Sequence, residues 1–175
     1  MTSRDNASIT ILGIDPGSRI TGYGVITALG DKLQVLDAGG IKTGKGDFQS
    51  RLKIIFAEVT RLVAERQPDE IAIERVFINK NADSALKLGH ARAAALCATF
   101  GSEIPVHEYA AREIKQAIVG RGGADKVQVQ HMVRMLLALK TSPAPDAADA
   151  LAVAICHAHT RLTASRLAAA AGATR

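Results

Sequence analysis

Hydrophobic residues fill both parities of the stretch ITILGID: Ile9, Ile11, Leu12 and Ile14 leave neither side polar. A strand with two apolar faces belongs in the middle of a sheet covered on both sides, so residues 8–15 are expected as a central strand. Residues 20–28 and 32–42 read as two further strands, divided by a turn at Gly30-Asp31. Links this short join neighbours, and the three strands are expected as an antiparallel meander. The period then changes. Phe48, Leu52, Ile55, Phe56, Val59, Leu62 and Val63 recur at three and four, which predicts a helix over 47–66 with one face on the sheet. Pro68 ends it.

The segment DEIAIE at 69–74 is a short strand. It follows a helical crossover and is expected to run parallel to an earlier strand. Residues 82–100 predict a second helix, and IPVHEY at 104–109 a fifth strand. Helices over 110–119 and 125–139 flank the glycine loop GRGG. A last helix starts near Asp146, behind Pro143 and Pro145, and is expected to run to about Arg161. The order β-β-β-α-β-α-β-α-α-α predicts an α/β fold: a mixed five-stranded sheet flanked by helices on both faces. One domain is expected over 1–162. The low-complexity tail at 163–175 is expected to fray or to be disordered.

Composition narrows the function. The 175 residues suffice for one domain with a real core. No stretch reaches the roughly 18 unbroken apolar residues of a membrane span, and no apolar leader precedes the first strand, so a cytoplasmic protein is expected. Cys97 and Cys156 lie in alanine-rich helical stretches without metal-ligand spacing, and are expected as buried, reduced thiols. The net charge of +5 and pI near 9.5 favour a polyanionic partner, nucleic acid first. Only 3% of residues are aromatic and tryptophan is absent. That argues against gripping single strands by stacked bases.

Two strands end on an acid, Asp15 and Glu74. If both are central and parallel, the acids meet at the carboxyl end of the sheet, where open α/β sheets place their ligands. Asp146 and Asp149 lie three apart at the start of a helix and share a face. Capping and the helix dipole explain one of these aspartates well and the second less well, in so apolar a helix. Four converging carboxylates repel unless a cation joins them. Hard oxygen donors suit Mg²⁺, with Mn²⁺ as a substitute. Two such ions about 3.5–4 Å apart are the usual apparatus for cutting phosphodiesters. Glycine serves the same site: Gly17, Gly22 and Gly24 are expected to permit tight turns and let neighbouring backbone approach Asp15. The five histidines are expected to be solvated or packed, since His157 and His159 are too close in sequence to share a helical face.

Longer stretches carry a resemblance. GIDPGSRITGYGVI, AIERVFINKNADSALKLGHARA, VHEYAAREIKQAIVGRGGADKVQVQHMV and DAADALAVAICHAHT together resemble the RuvC family of bacterial Holliday-junction resolvases, to about residue 162. The resemblance implies a ribonuclease-H-like fold and a homodimer. It implies a Mg²⁺-dependent endonuclease that nicks two strands symmetrically across a four-way DNA junction, for recombination and repair. It also implies partnership with the RuvA–RuvB branch-migration complex. The family's four metal-binding acids fall on Asp15, Glu74, Asp146 and Asp149. Its catalytic or DNA-contacting lysines match Lys115 and Lys126, and its junction-centre aromatic matches Phe77. An exposed phenylalanine can wedge against an unstacked base, although an isolated loop aromatic more often folds back onto the core. Arg75, Lys80, Lys87, Arg92, Arg112 and Arg121 add a diffuse phosphate-contacting surface.

Two other readings compete. GIDPGSRITGYGV also resembles the first phosphate loop of actin-like sugar kinases and chaperone ATPases, but those need two comparable lobes. A catalytically silent junction binder would have little use for all four acids. Two symmetric nicks need two active sites at fixed separation, which a two-fold dimer supplies. The helix over 82–100 alternates small and large apolar residues, a stripe that suits either part of that interface or packing on the sheet.

Overall fold

The computed structural model describes residues 7–76 and 81–172. Five strands form one sheet: β1 (Ile9–Asp15), β2 (Ile20–Leu29), β3 (Lys32–Lys42), β4 (Glu70–Arg75) and β5 (Val106–Ala110), in the order β3-β2-β1-β4-β5. β1 is central, antiparallel to β2 and parallel to β4, while β2–β3 is antiparallel and β4–β5 parallel. The meander and the crossover direction are as the sequence predicts. In β1, Ile11 packs into one core with Ala72 and Ile155, and Leu12 and Ile14 into another with Ile55, Ile71 and Ile73.

The second core lies beneath α1 (Phe48–Arg66) and α2 (Ala82–Cys97). Asp47 caps α1 by accepting from the Ser50 amide at 2.7 Å. Ile55, Val59, Leu62 and Val63 are buried as expected, but Phe56 is 45% exposed, because the stripe is narrower than the run of apolar residues. α3 (Ala111–Val119), α4 (Lys126–Leu136) and α5 (Pro145–Gly172) cover the other face.

α5 decides the architecture. Pro145 opens it, where a missing amide hydrogen costs nothing. From Ala147 to Ala158, every residue but Asp149 is buried. Small side chains let it lie close on the sheet. A Cβ on Gly13 would stand 2.3 Å from the Ala150 carbonyl oxygen, and one on Gly22 would stand 2.1 Å from that of Asp146. Gly17, Gly22 and Gly24 do not adopt positive φ. Gly22 and Gly24 are required by this helix, rather than by a left-handed turn.

Two expectations fail. The last helix does not stop near Arg161 but continues to Gly172, because Thr163–Ala171 contains no proline or glycine and is rich in alanine. Cys97 is exposed and only Cys156 is buried. The buried positions of α2 are Ala91 and Ala95, and Cys97 falls off that face.

Candidate active site

The register of β1 on β4 pairs Gly13 with Ala72 and Ile14 with Ile73, so Asp15 and Glu74 follow side by side. Strand alternation turns both toward α5. Their side chains lie close enough for each to shift the titration of the other. Two carboxyl groups this close favour the protonated form of one of them. Burial, the charge of Glu74 and that of Asp149 push Asp15 up to about 8. Burial also raises Glu74, with Asp149 adding to it, while the Asp15 hydrogen bond, Lys115 and Lys126 act in the opposite direction.

α5 delivers the other two acids. The Asp146 carbonyl lies against Gly22, the residue paired with Asp15 across β1–β2, so the first turn of the helix sits over the end of β1. Asp149 is one turn further on. Lys126, the first residue of α4, donates from Nζ to Asp149 Oδ2 at 2.6 Å. That hydrogen bond raises the Lys126 pKa, and Asp149, Asp15 and Asp146 add their charges. Lys115, on α3, lines a hollow with Glu74, Lys126 and Asp149. The fold thus brings together Asp15, Glu74, Asp149, Lys115 and Lys126, with Asp146 beside them.

The donor set fits a hard divalent cation. It is all oxygen, it is partly buried, and its crowded negative charge pushes the Asp15 carboxyl up to about 8. A cation replacing the Asp15 proton would satisfy all of these carboxylates.

The other predicted residues are more scattered. Arg75 pairs with Glu113 at 2.7 Å, and Glu113 also accepts from the Ala110 amide at the start of α3. Arg121 is exposed in the loop between α3 and α4. Arg92 on α2 pairs with Glu108 on β5. Lys87 pairs with Asp83 one turn earlier, and Arg112 lies over Gly122. Phe77 and Lys80 lie outside the described residues.

Residue-by-residue reading misses one grouping. His157 is packed as expected, yet it also meets Glu70 and His107. The available clue is parity: Glu70 and Glu74 share a face of β4, and His157 is the sole basic group in the buried span of α5.

The family model for crossover junction endodeoxyribonuclease RuvC matches residues 11–157. The chain is 59% identical to the enzyme of that name from Vibrio campbellii over 165 residues, covering 94% of this chain and 95% of the relative. It is 61% identical to that of Vibrio vulnificus over 153 residues, covering 87% and 88%. Among solved structures, T. thermophilus RuvC in complex with Holliday junction substrate superposes with a TM-score of 0.84 at 35% identity, covering 89% of this chain and 96% of that one. The fold is ribonuclease-H-like, and this chain belongs to the RuvC family of crossover junction endodeoxyribonucleases.

Proposed function

We propose that this protein resolves four-way DNA junctions by paired, symmetric nicks, using Asp15, Glu74, Asp146 and Asp149 to hold Mg²⁺, two ions per site, with Mn²⁺ as a substitute. The observation that carries the mechanism is the placement of Asp15 and Glu74 side by side at the carboxyl end of the central strands, facing Asp149 and Lys126. When bound, the cations would activate a water for in-line attack and neutralise the departing oxygen, leaving 5′-phosphate and 3′-hydroxyl ends. The chain's own residues do the rest. β1 and β4 hold two carboxylates on stiff, buried strands, so the cradle forms before DNA arrives. Lys115 and Lys126 offset phosphate charge as it builds in the transition state. Lys126 is already held beside the cradle by Asp149.

Junction binding rests on phosphate contacts from Lys115, Lys126, Arg75, Lys80 and Arg121, with Phe77 wedged at the unstacked centre. The Arg75–Glu113 pair is exposed, and such pairs are worth about 0–1 kcal/mol, so a phosphate can displace Glu113. The active form is a homodimer that uses α2. Leu86, 62% exposed on that helix, supports this together with the apolar hollow formed by Ala82, Ala85, Gly89 and His90. The nuclease domain spans residues 1–162. The partner is the RuvA–RuvB branch-migration complex and the compartment is the cytoplasm. Among the described residues, no helix is long and apolar enough to cross a membrane.

The test is a nicking assay on an end-labelled immobile junction with linear duplex competitor, with Mg²⁺ or EDTA. Wild type is expected to make paired, symmetric, Mg²⁺-dependent nicks. Asp15→Asn is expected to bind the junction and leave it uncut. Equal loss of binding and cutting in this variant would contradict the metal role, and binding without cutting by wild type would favour the silent binder.

A further inference from the structure

The strand–helix pair that builds the acid site builds a second cluster at its other end. Glu70 precedes Glu74 by four residues on β4, about 13 Å at the strand rise. His157 follows Asp149 by eight residues on α5, about 12 Å at the helical rise. His107 joins them from β5, where it pairs with Ala72. One ligand atom from each of the three lies within 4.8 Å of the other two. Glu70 Oε2 hydrogen-bonds His157 Nε2 and stands 3.8 Å from His107 Nε2. The two imidazoles stack with centroids 4.3 Å apart.

The surroundings orient these atoms. Tyr109 Oη lies 2.7 Å from His157 Nδ1 and donates to it while Nε2–H donates to Glu70; when a metal takes the Nε2 lone pair, Nδ1–H can donate to the same oxygen instead. Arg161 Nε donates to Glu70 Oε1 at 3.0 Å, which leaves Oε2 for the cluster. His157 is 3% exposed, whereas the His107 side chain is 42% exposed, so the site is anchored inside and reached from outside. Two imidazoles and one carboxylate form a recurrent donor set for zinc, leaving a fourth position for water. Donor atoms on a tetrahedral zinc, each about 2.0–2.1 Å from the metal, are roughly 3.3 Å apart. These three reach that spacing through side-chain adjustment of about an ångström.

We propose that Glu70, His107 and His157 form a site for a borderline transition-metal ion of the Zn²⁺ class, distinct from the acid site. The ion replaces the proton between Glu70 and His157 and ties β4, β5 and α5 together. Nitrogen donors select it over Mg²⁺, just as the all-oxygen cradle does the reverse. The site stands on its own geometry, whatever the acids do to DNA.

The test titrates metal-free protein with Zn²⁺ by calorimetry, and with Co²⁺ by visible absorption, in excess Mg²⁺. Wild type is expected to bind one Zn²⁺ per chain, to show the intense visible bands of low-coordinate Co²⁺, and to melt at higher temperature with Zn²⁺. His107→Ala changes a half-exposed residue and spares the core. It is expected to weaken Zn²⁺ binding by about 100-fold or more, since even an outer-shell partner is worth roughly 10–100-fold. Glu70→Gln should weaken it similarly, and Asp15→Asn should leave it unchanged. Zn²⁺ affinity that follows Asp15 and ignores His107 would overturn the proposal, and so would the absence of binding by wild type in the micromolar range.

Discussion

Asp15 sits where burial, Glu74 and Asp149 all oppose its negative charge. Its pKa rises from 3.8 to about 8, so the metal-free folded chain holds a proton that the unfolded chain releases. The stabilisation from that proton is fully present below about pH 4 and is lost as pH rises through 8. Metal-free protein is therefore expected to lose melting temperature between pH 5 and 8.5. Mg²⁺ competes with the proton, so the rise in melting temperature that it produces should grow over the same range. Differential scanning calorimetry with and without Mg²⁺ checks both, and a slope left intact in Asp15→Asn would contradict the assignment. Lys126 supports a second prediction. Lys126→Ala should lower junction affinity and reduce its salt slope by about one, measured by binding across a salt series. The identity of the acids is legible in the sequence, because strand ends and helix starts place them by parity alone. The raised pKa of Asp15 is not, because it depends on how far burial and neighbouring charges act together.

At the scale of elements, the close approach of α5 to β1 and β2 governs the site. Gly22 touches the Asp146 carbonyl, so the distance from helix to strand sets the distance from Asp146 and Asp149 to Asp15. Gly22→Ala forces the helix outward. It should cost at least the roughly 1–3 kcal/mol of overpacking and abolish Mg²⁺-dependent nicking. Denaturant melts measure the first effect and the junction assay the second. Retained nicking in a destabilised variant would show that the acids tolerate the displacement. The glycine cluster is conspicuous in the sequence, but its purpose is not, since a run of glycines suits a phosphate loop as well as a helix seat. Only the position of Ala150, Leu151 and Ala154 over Gly13 and Gly24 decides between them.

At the scale of the whole molecule, the proposed two-fold dimer makes the reaction paired. Mixed dimers of wild type and Asp15→Asn should nick one strand of a cruciform plasmid and produce open circles, where wild type produces linear product. Linear product from the mixed dimer would contradict one active site per protomer. The sequence by itself determined the antiparallel meander of β1 to β3, the central place of β1 and the parallel run of β4 after its crossover. That β4 lies beside β1, so that Asp15 and Glu74 share one end of the sheet, was decided by the structure. Periodicity and short links are local properties, and they state which face each residue takes. The tertiary structure alone decided which distant faces touch. The Glu70–His157 contact spans 87 residues of chain, and the Lys126–Asp149 contact spans 23. Both exist because an alanine-rich helix packs close enough on glycines for its polar side chains to reach both ends of β4, and that depth of packing is set by the whole core together.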